Sequence, residues 1–149
     1  MTSAWEKFQE LVREEMRKVY AEAVVDHAMN PRNVGSMENA DGIAKVTGPC
    51  GDTMEIWLKV QNGAIANATF MTDGCGTSIA SGSMATELAK GETITEAGKI
   101  SQQDVLSALG GLPKGSEHCA LLAANTLKEA MRDYIAMKKE PWKRAYRKH

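Results

Sequence analysis

The stretch "TMEIWLKVQNGAIANATFMT", residues 53–72, constrains the fold more than any other part of this chain. In "TMEIWLKV" the apolar side chains recur at every second position, with Met54, Ile56, Leu58 and Val60 on one side and Thr53, Glu55, Trp57 and Lys59 on the other. That period belongs to a half-buried strand. Asn62 and Gly63 follow as a hairpin turn signal, so "AIANATFMT" returns antiparallel with Ala66, Ala68 and Phe70 on one face. Counting "IAKVT" upstream, three short strands are expected.

Helical patterns flank the strands. The segment "SAWEKFQELVREEMRKVYAEAVVDHAMNP" opens with Ser3 and Glu6 in capping-box spacing and repeats apolar residues at Trp5, Phe8, Val12, Met16 and Val19. It reads as one amphipathic helix over residues 1–30, stopped by Pro31, with its apolar stripe against the domain. After "DGCG", a helix through "TSIASGSMATELAKG" turns Ile79, Met84 and Leu88 toward the core and stops at Gly91. A short helix from about Ser101 ends at Gly110 and Gly111, and a long one from near Ser116 carries Leu127, Met131 and Tyr134. Helix, strands, then helices is the order of an α+β domain: a three-stranded antiparallel sheet covered on one face by helices, with an N-terminal helix and a long C-terminal one.

At 149 residues one domain is expected. The 43% hydrophobic and 25% charged fractions are those of a soluble globular protein, and no apolar run approaches the ~18 residues of a membrane helix. A net charge of -1 gives no global reason to expect nucleic acid. The N-terminus lacks a signal-peptide hydrophobic region, and Glu6, Glu10, Glu14 and Glu15 argue against a transit peptide, so a cytoplasmic protein is expected. An odd number of cysteines leaves a thiol over in any disulfide framework, which points to free thiols or metal ligands.

Those cysteines fall at element ends. Cys50 in "GPCGD" precedes a strand, Cys75 lies between glycines where strand gives way to helix, and Cys119 is in the first turn of the last helix. Their spacings match no zinc-finger or ferredoxin run, so a shared site would be assembled by folding. In extended chain Cys50 and Asp52 project to the same side and could meet one metal centre, although an aspartate in a glycine-containing turn is also an ordinary hydrogen-bond acceptor. Cys119 at a helix N-terminus is either a plausible nucleophile, its thiolate favoured by the helix dipole, or a small buried hydrophobe. His118 could be ligand, proton carrier or surface residue.

Taken together, "DHAMNPRNVGSM", "GPCGDTMEIWLKV", "GCGTSIASGSMATELAKG" and "EHCALLAANTLKEAM" resemble the IscU/NifU-type scaffold proteins of iron-sulfur cluster assembly, from about Val24 to Tyr134. The resemblance implies a scaffold rather than an enzyme, building a [2Fe-2S] cluster on Cys50, Cys75 and Cys119 with Asp52 or His118 as fourth ligand. It implies a PLP-dependent cysteine desulfurase as sulfur source, Cys119 as persulfide acceptor, and carrier or apo-proteins as recipients. A homodimer is left open. One departure is "LPKGSEHC", where only Leu112-Pro113 remains of the segment that a specialised heat-shock chaperone recognises in bacterial IscU, which weakens the case for that partner. The runner-up is a zinc-bound, SufU-like sulfur-transfer protein using the same thiolates and Asp52. His118 and the lack of an insertion before Cys119 point away from it. Finally, Lys138, Lys139, Lys143, Arg144, Arg147 and Lys148 make a basic tail over residues 138–149, solvated by default and otherwise a docking element for an acidic surface of the desulfurase.

Overall fold

The computed structural model describes residues 3–146. Three antiparallel strands, β1 (Gly42–Thr47), β2 (Thr53–Gln61) and β3 (Ala64–Thr72), form a meander in the order β1-β2-β3. Asn62 and Gly63 both take positive φ, 54° and 75°, so the β2–β3 turn has the primed geometry whose twist matches its strands. Met54, Ile56 and Leu58 are fully buried as expected, but on β3 it is Ile65, with Ala68 and Phe70, that lies inside while Ala66 is exposed. A bulge is the cause. The pairing register shifts between Lys59 and Val60, which leaves Ala66 as the extra residue and inverts the alternation beyond it.

Helices α3 (Gly76–Ala89) and α6 (Glu117–Lys139) pack on the sheet, α3 against β3 and α6 against β1 and β2. Helices α2 (Glu22–Met29) and α5 (Gln102–Leu109) pack in turn on α3, and a one-turn helix α4 (Ile94–Ala97) links α3 to α5. The α+β architecture is the expected one. Inside α3, however, the buried side chains are Thr77, Ser78, Ala80, Ser81, Ser83, Ala85, Thr86 and Ala89, while Ile79, Met84 and Leu88 are only partly buried. With neighbours on several sides, α3 needs small residues to let each approach. A Cβ on Gly82 would sit 2.5 Å from the Phe70 ring. The buried hydroxyls are satisfied locally: Ser81 donates to the Thr77 carbonyl at 2.7 Å and Thr86 to the Gly82 carbonyl at 2.8 Å.

The N-terminal segment departs from expectation. Instead of one helix there are two, α1 (Ala4–Arg17) and α2, broken where Tyr20 and Ala21 pack against the core. The turn lets α2 bury Val24, Val25 and His27, and it leaves α1 with no buried residue. The stripe expected to face the domain is open at Trp5, Phe8 and Val19, which are 65%, 54% and 65% exposed, while Val12 and Met16 are half-buried. At the other end, Lys138 and Lys139 belong to the last turn of α6, and Lys143 pairs with Glu140. Arg147 and Lys148 lie outside the described residues. Among the described residues no helix is long and apolar enough to cross a membrane.

Candidate functional site

Strand register brings the cysteine-bearing segments to one end of the sheet. Thr47 pairs with Thr53 and Met54 with Thr72, so the β1–β2 turn and the exit of β3 stand side by side. Two further bonds tie them: Thr72 Oγ1 donates to the Thr53 carbonyl at 2.7 Å, and the Thr53 amide donates to Asp73 Oδ1 at 2.7 Å. Gly51, with φ +89, lets the turn close, and the Gly48 amide donates to the Asp52 carbonyl at 2.8 Å. Cys50 is thereby held exposed in the turn. Cys75 is the N-cap of α3, also exposed, whereas Cys119, in the first turn of α6, is 2% exposed.

A chain of short contacts links the five residues singled out in the sequence. Cys50 Sγ lies 3.1 Å from His118 Nε2, and the same nitrogen is 3.7 Å from Cys119 Sγ. From Cys119 the chain of contacts continues through Thr77 Oγ1 at 3.3 Å to Cys75 Sγ, a further 3.2 Å. A branch runs through Ser78, whose hydroxyl stands within donating reach of Asp52 Oδ2 at 3.1 Å and of Cys119 Sγ at 3.4 Å. Two of the connecting residues, Thr77 and Ser78, were not singled out as site residues. Hydroxyls in the first turn of a helix read as ordinary helix-start residues, and only the position of Cys75 immediately before them could have drawn attention to them.

The electrostatics separate the cysteines. A hydrogen bond from the Thr77 hydroxyl holds the Cys75 thiol below the usual thiol range, against the opposing pull of burial. The amides of Thr77 and Ser78 act in the same direction, although neither makes a full capping bond to the sulfur. Of the three sulfurs, Cys50 and Cys75 are exposed and Cys119 is enclosed. Three sulfurs, a carboxylate and an imidazole form a donor set for iron or zinc. Among the described residues no three of His, Cys, Asp and Glu converge tightly enough to hold a single ion as they stand. The donors are strung along a branched line of hydrogen bonds through Thr77 and Ser78.

The NifU-like N terminal domain model matches residues 19–141, a span that contains all five of these residues. The chain belongs to that family. It is 52% identical over 118 residues to the iron-sulfur cluster assembly scaffold protein IscU 1 of Archaeoglobus fulgidus, covering 78% of this chain and 77% of that protein. With the iron-sulfur cluster assembly enzyme IscU of Drosophila melanogaster it shares 44% over 136 residues, 83% of this chain and 88% of the relative. Among solved structures, a nitrogen-fixing NifU-like protein (N-terminal) from Brucella abortus superposes with a TM-score of 0.63 at 19% identity, over 81% of this chain and 97% of the other. That last likeness establishes shared fold. The family match reaches upstream of α2 to the turn where α1 ends, so α1 lies outside it.

Proposed function

We propose that this chain is a scaffold on which an iron-sulfur cluster, in this reading a [2Fe-2S] cluster, is built and from which it is passed on. The observation that carries the proposal is that three distant segments bring Cys75 and Cys119 onto the Thr77 hydroxyl and link Cys50 to Cys119 through His118. Thiolates secure the cluster, and Asp52, a harder oxygen donor, or His118 supplies the fourth ligand and the displaceable corner. The cluster is cargo rather than a resident cofactor. The names of the curated relatives support this reading, as does the placement of an acid and an imidazole among the sulfurs.

In this reading sulfur comes from a PLP-dependent cysteine desulfurase and is accepted on Cys119, and carrier or apo-proteins receive the cluster. Because Cys119 is enclosed, delivery there requires the Cys50 turn or the start of α6 to open first. Three cysteines without a disulfide suit a reducing compartment such as the cytoplasm. The basic residues that follow α6 are assigned to docking on the desulfurase. The deciding experiment is anaerobic purification: brown protein with equal iron and acid-labile sulfide, turning colourless when all three cysteines are replaced by alanine, is the expected outcome. Colourless protein carrying one zinc per chain would favour the sulfur-transfer alternative.

A further inference from the structure

We propose that Ser78 is a positioning residue that sets how readily Asp52 lets go of the cargo. The inference rests on the scaffold reading and adds a residue to it. Ser78 is 0% exposed and sits in the first turn of α3, three residues after Cys75. Its hydroxyl faces two acceptors at once, Asp52 Oδ2 at 3.1 Å and Cys119 Sγ at 3.4 Å. A serine hydroxyl carries one proton, so it can donate fully to only one of them at a time. The two candidate ligands are therefore coupled through this one side chain.

The carboxylate is the shorter contact and a stronger acceptor than a sulfur, so the hydroxyl donates chiefly to Asp52. A carboxylate oxygen that accepts a hydrogen bond has less electron density to offer a metal, so Ser78 makes Asp52 the weaker corner of a seated cluster. A second observation places this contact under deliberate packing. A Cβ on Gly74 would stand 2.4 Å from Ser78 Oγ and 2.8 Å from Asp52 Oδ2, so the backbone leaves room there for this pair of groups and nothing else.

The test is a two-residue cycle on the full chain, loaded anaerobically, with transfer to an apo-ferredoxin as one readout and the visible circular dichroism of the bound cluster as the other. Ser78→Ala removes one oxygen from a helix in which alanine is the most favoured residue, so the fold is kept. In the wild-type background it is expected to slow transfer about tenfold, the effect of one hydrogen bond to a charged group, and to change the spectrum of the bound cluster. Asp52→Ala also slows transfer, because solvent or His118 must take the vacated corner. In that background Ser78→Ala is expected to leave the transfer rate unchanged, any remaining spectral change arising from its contact with Cys119 Sγ. Equal slowing of transfer by Ser78→Ala in both backgrounds would show that it does not act through Asp52 and overturn the inference. A loaded Ser78→Ala protein with wild-type rate and spectrum does so too, leaving the scaffold reading intact. A wild-type chain that takes up no cluster overturns both.

Discussion

Among single residues, the site depends on one that has no side chain. Gly74 stands directly before Cys75, and the space a Cβ would need is filled by Ser78 and Asp52. Gly74→Ala must therefore separate those two groups or shift the strand exit that carries Cys75, since interiors this dense do not absorb a methyl group without movement. The expected outcome is a several-fold loss of iron retained after anaerobic reconstitution and gel filtration. Gly115→Ala, where an added Cβ meets nothing within 4 Å, is expected to retain iron as the wild type does. Equal losses at the two positions would contradict the packing argument. The sequence announces part of this: glycines around a cysteine promise close backbone approach, and Cys50, Asp52, Cys75, His118 and Cys119 stand out as soft or titratable groups at element ends. What approaches Gly74 is not legible, because the contact joins residues from the β1–β2 turn and α3 that only the strand register brings together.

At the level of elements, α2 is locked to α3 by a buried polar pair. His27 Nδ1 lies 2.7 Å from Ser83 Oγ, which also accepts the Arg32 amide at 2.9 Å. Burial, with Arg32 nearby, holds the His27 imidazole below its usual range, while Asp26 and Glu87 pull weakly the other way. The unfolded chain then binds more protons than the folded one between the folded value and about 6.5, so stability rises with pH across that window and is lost as pH falls through it. A lower urea midpoint at pH 5.5 than at pH 7.5 is expected, with a smaller difference in His27→Gln, which cannot take up the proton. A pH dependence unchanged by that substitution would remove His27 from the account. Strands and capped helices were readable because their signals are local: alternation, Asn-Gly, Ser101 before α5 and Gly110 after it. Two features were not, for the same physical reason. Beside the bulge at Ala66, Ile65 bonds to the distant Gly91 and Glu92, and the small-residue burial of α3 is set by neighbours far along the chain; both override a local hydrophobic period.

Across the whole molecule, the residues divide into a body that positions the site and a helix that does not contribute to its core. The largest fully buried side chains, among them Phe70, Met54, Ile56, Leu58, Leu109 and Leu127, join sheet, α5 and α6 behind the cysteine-bearing end of the sheet. Helix α1 is amphipathic yet has no fully buried residue, only half-buried ones such as Val12 and Met16; its Trp5 and Phe8 rings stack on each other with centroids 5.8 Å apart, and its Arg17 ion pairs with Glu10 and Glu22 join exposed or half-exposed groups. Amphipathicity in the sequence shows only that a helix has an apolar face; the bend at Tyr20 decides whether that face reaches the core. Exposed ion pairs contribute little, so α1 should be nearly neutral for folding. Removing residues 1–17 is expected to leave the thermal midpoint within about 2 °C of the full chain and to preserve cluster uptake. Val24→Ala, at a position 1% exposed in α2, is expected to cost about 2 kcal/mol in urea unfolding. Should the truncated chain lose stability to the same extent as Val24→Ala, α1 would have to pack on the body in solution, and the open stripe of Trp5, Phe8 and Val19 would not describe the free protein.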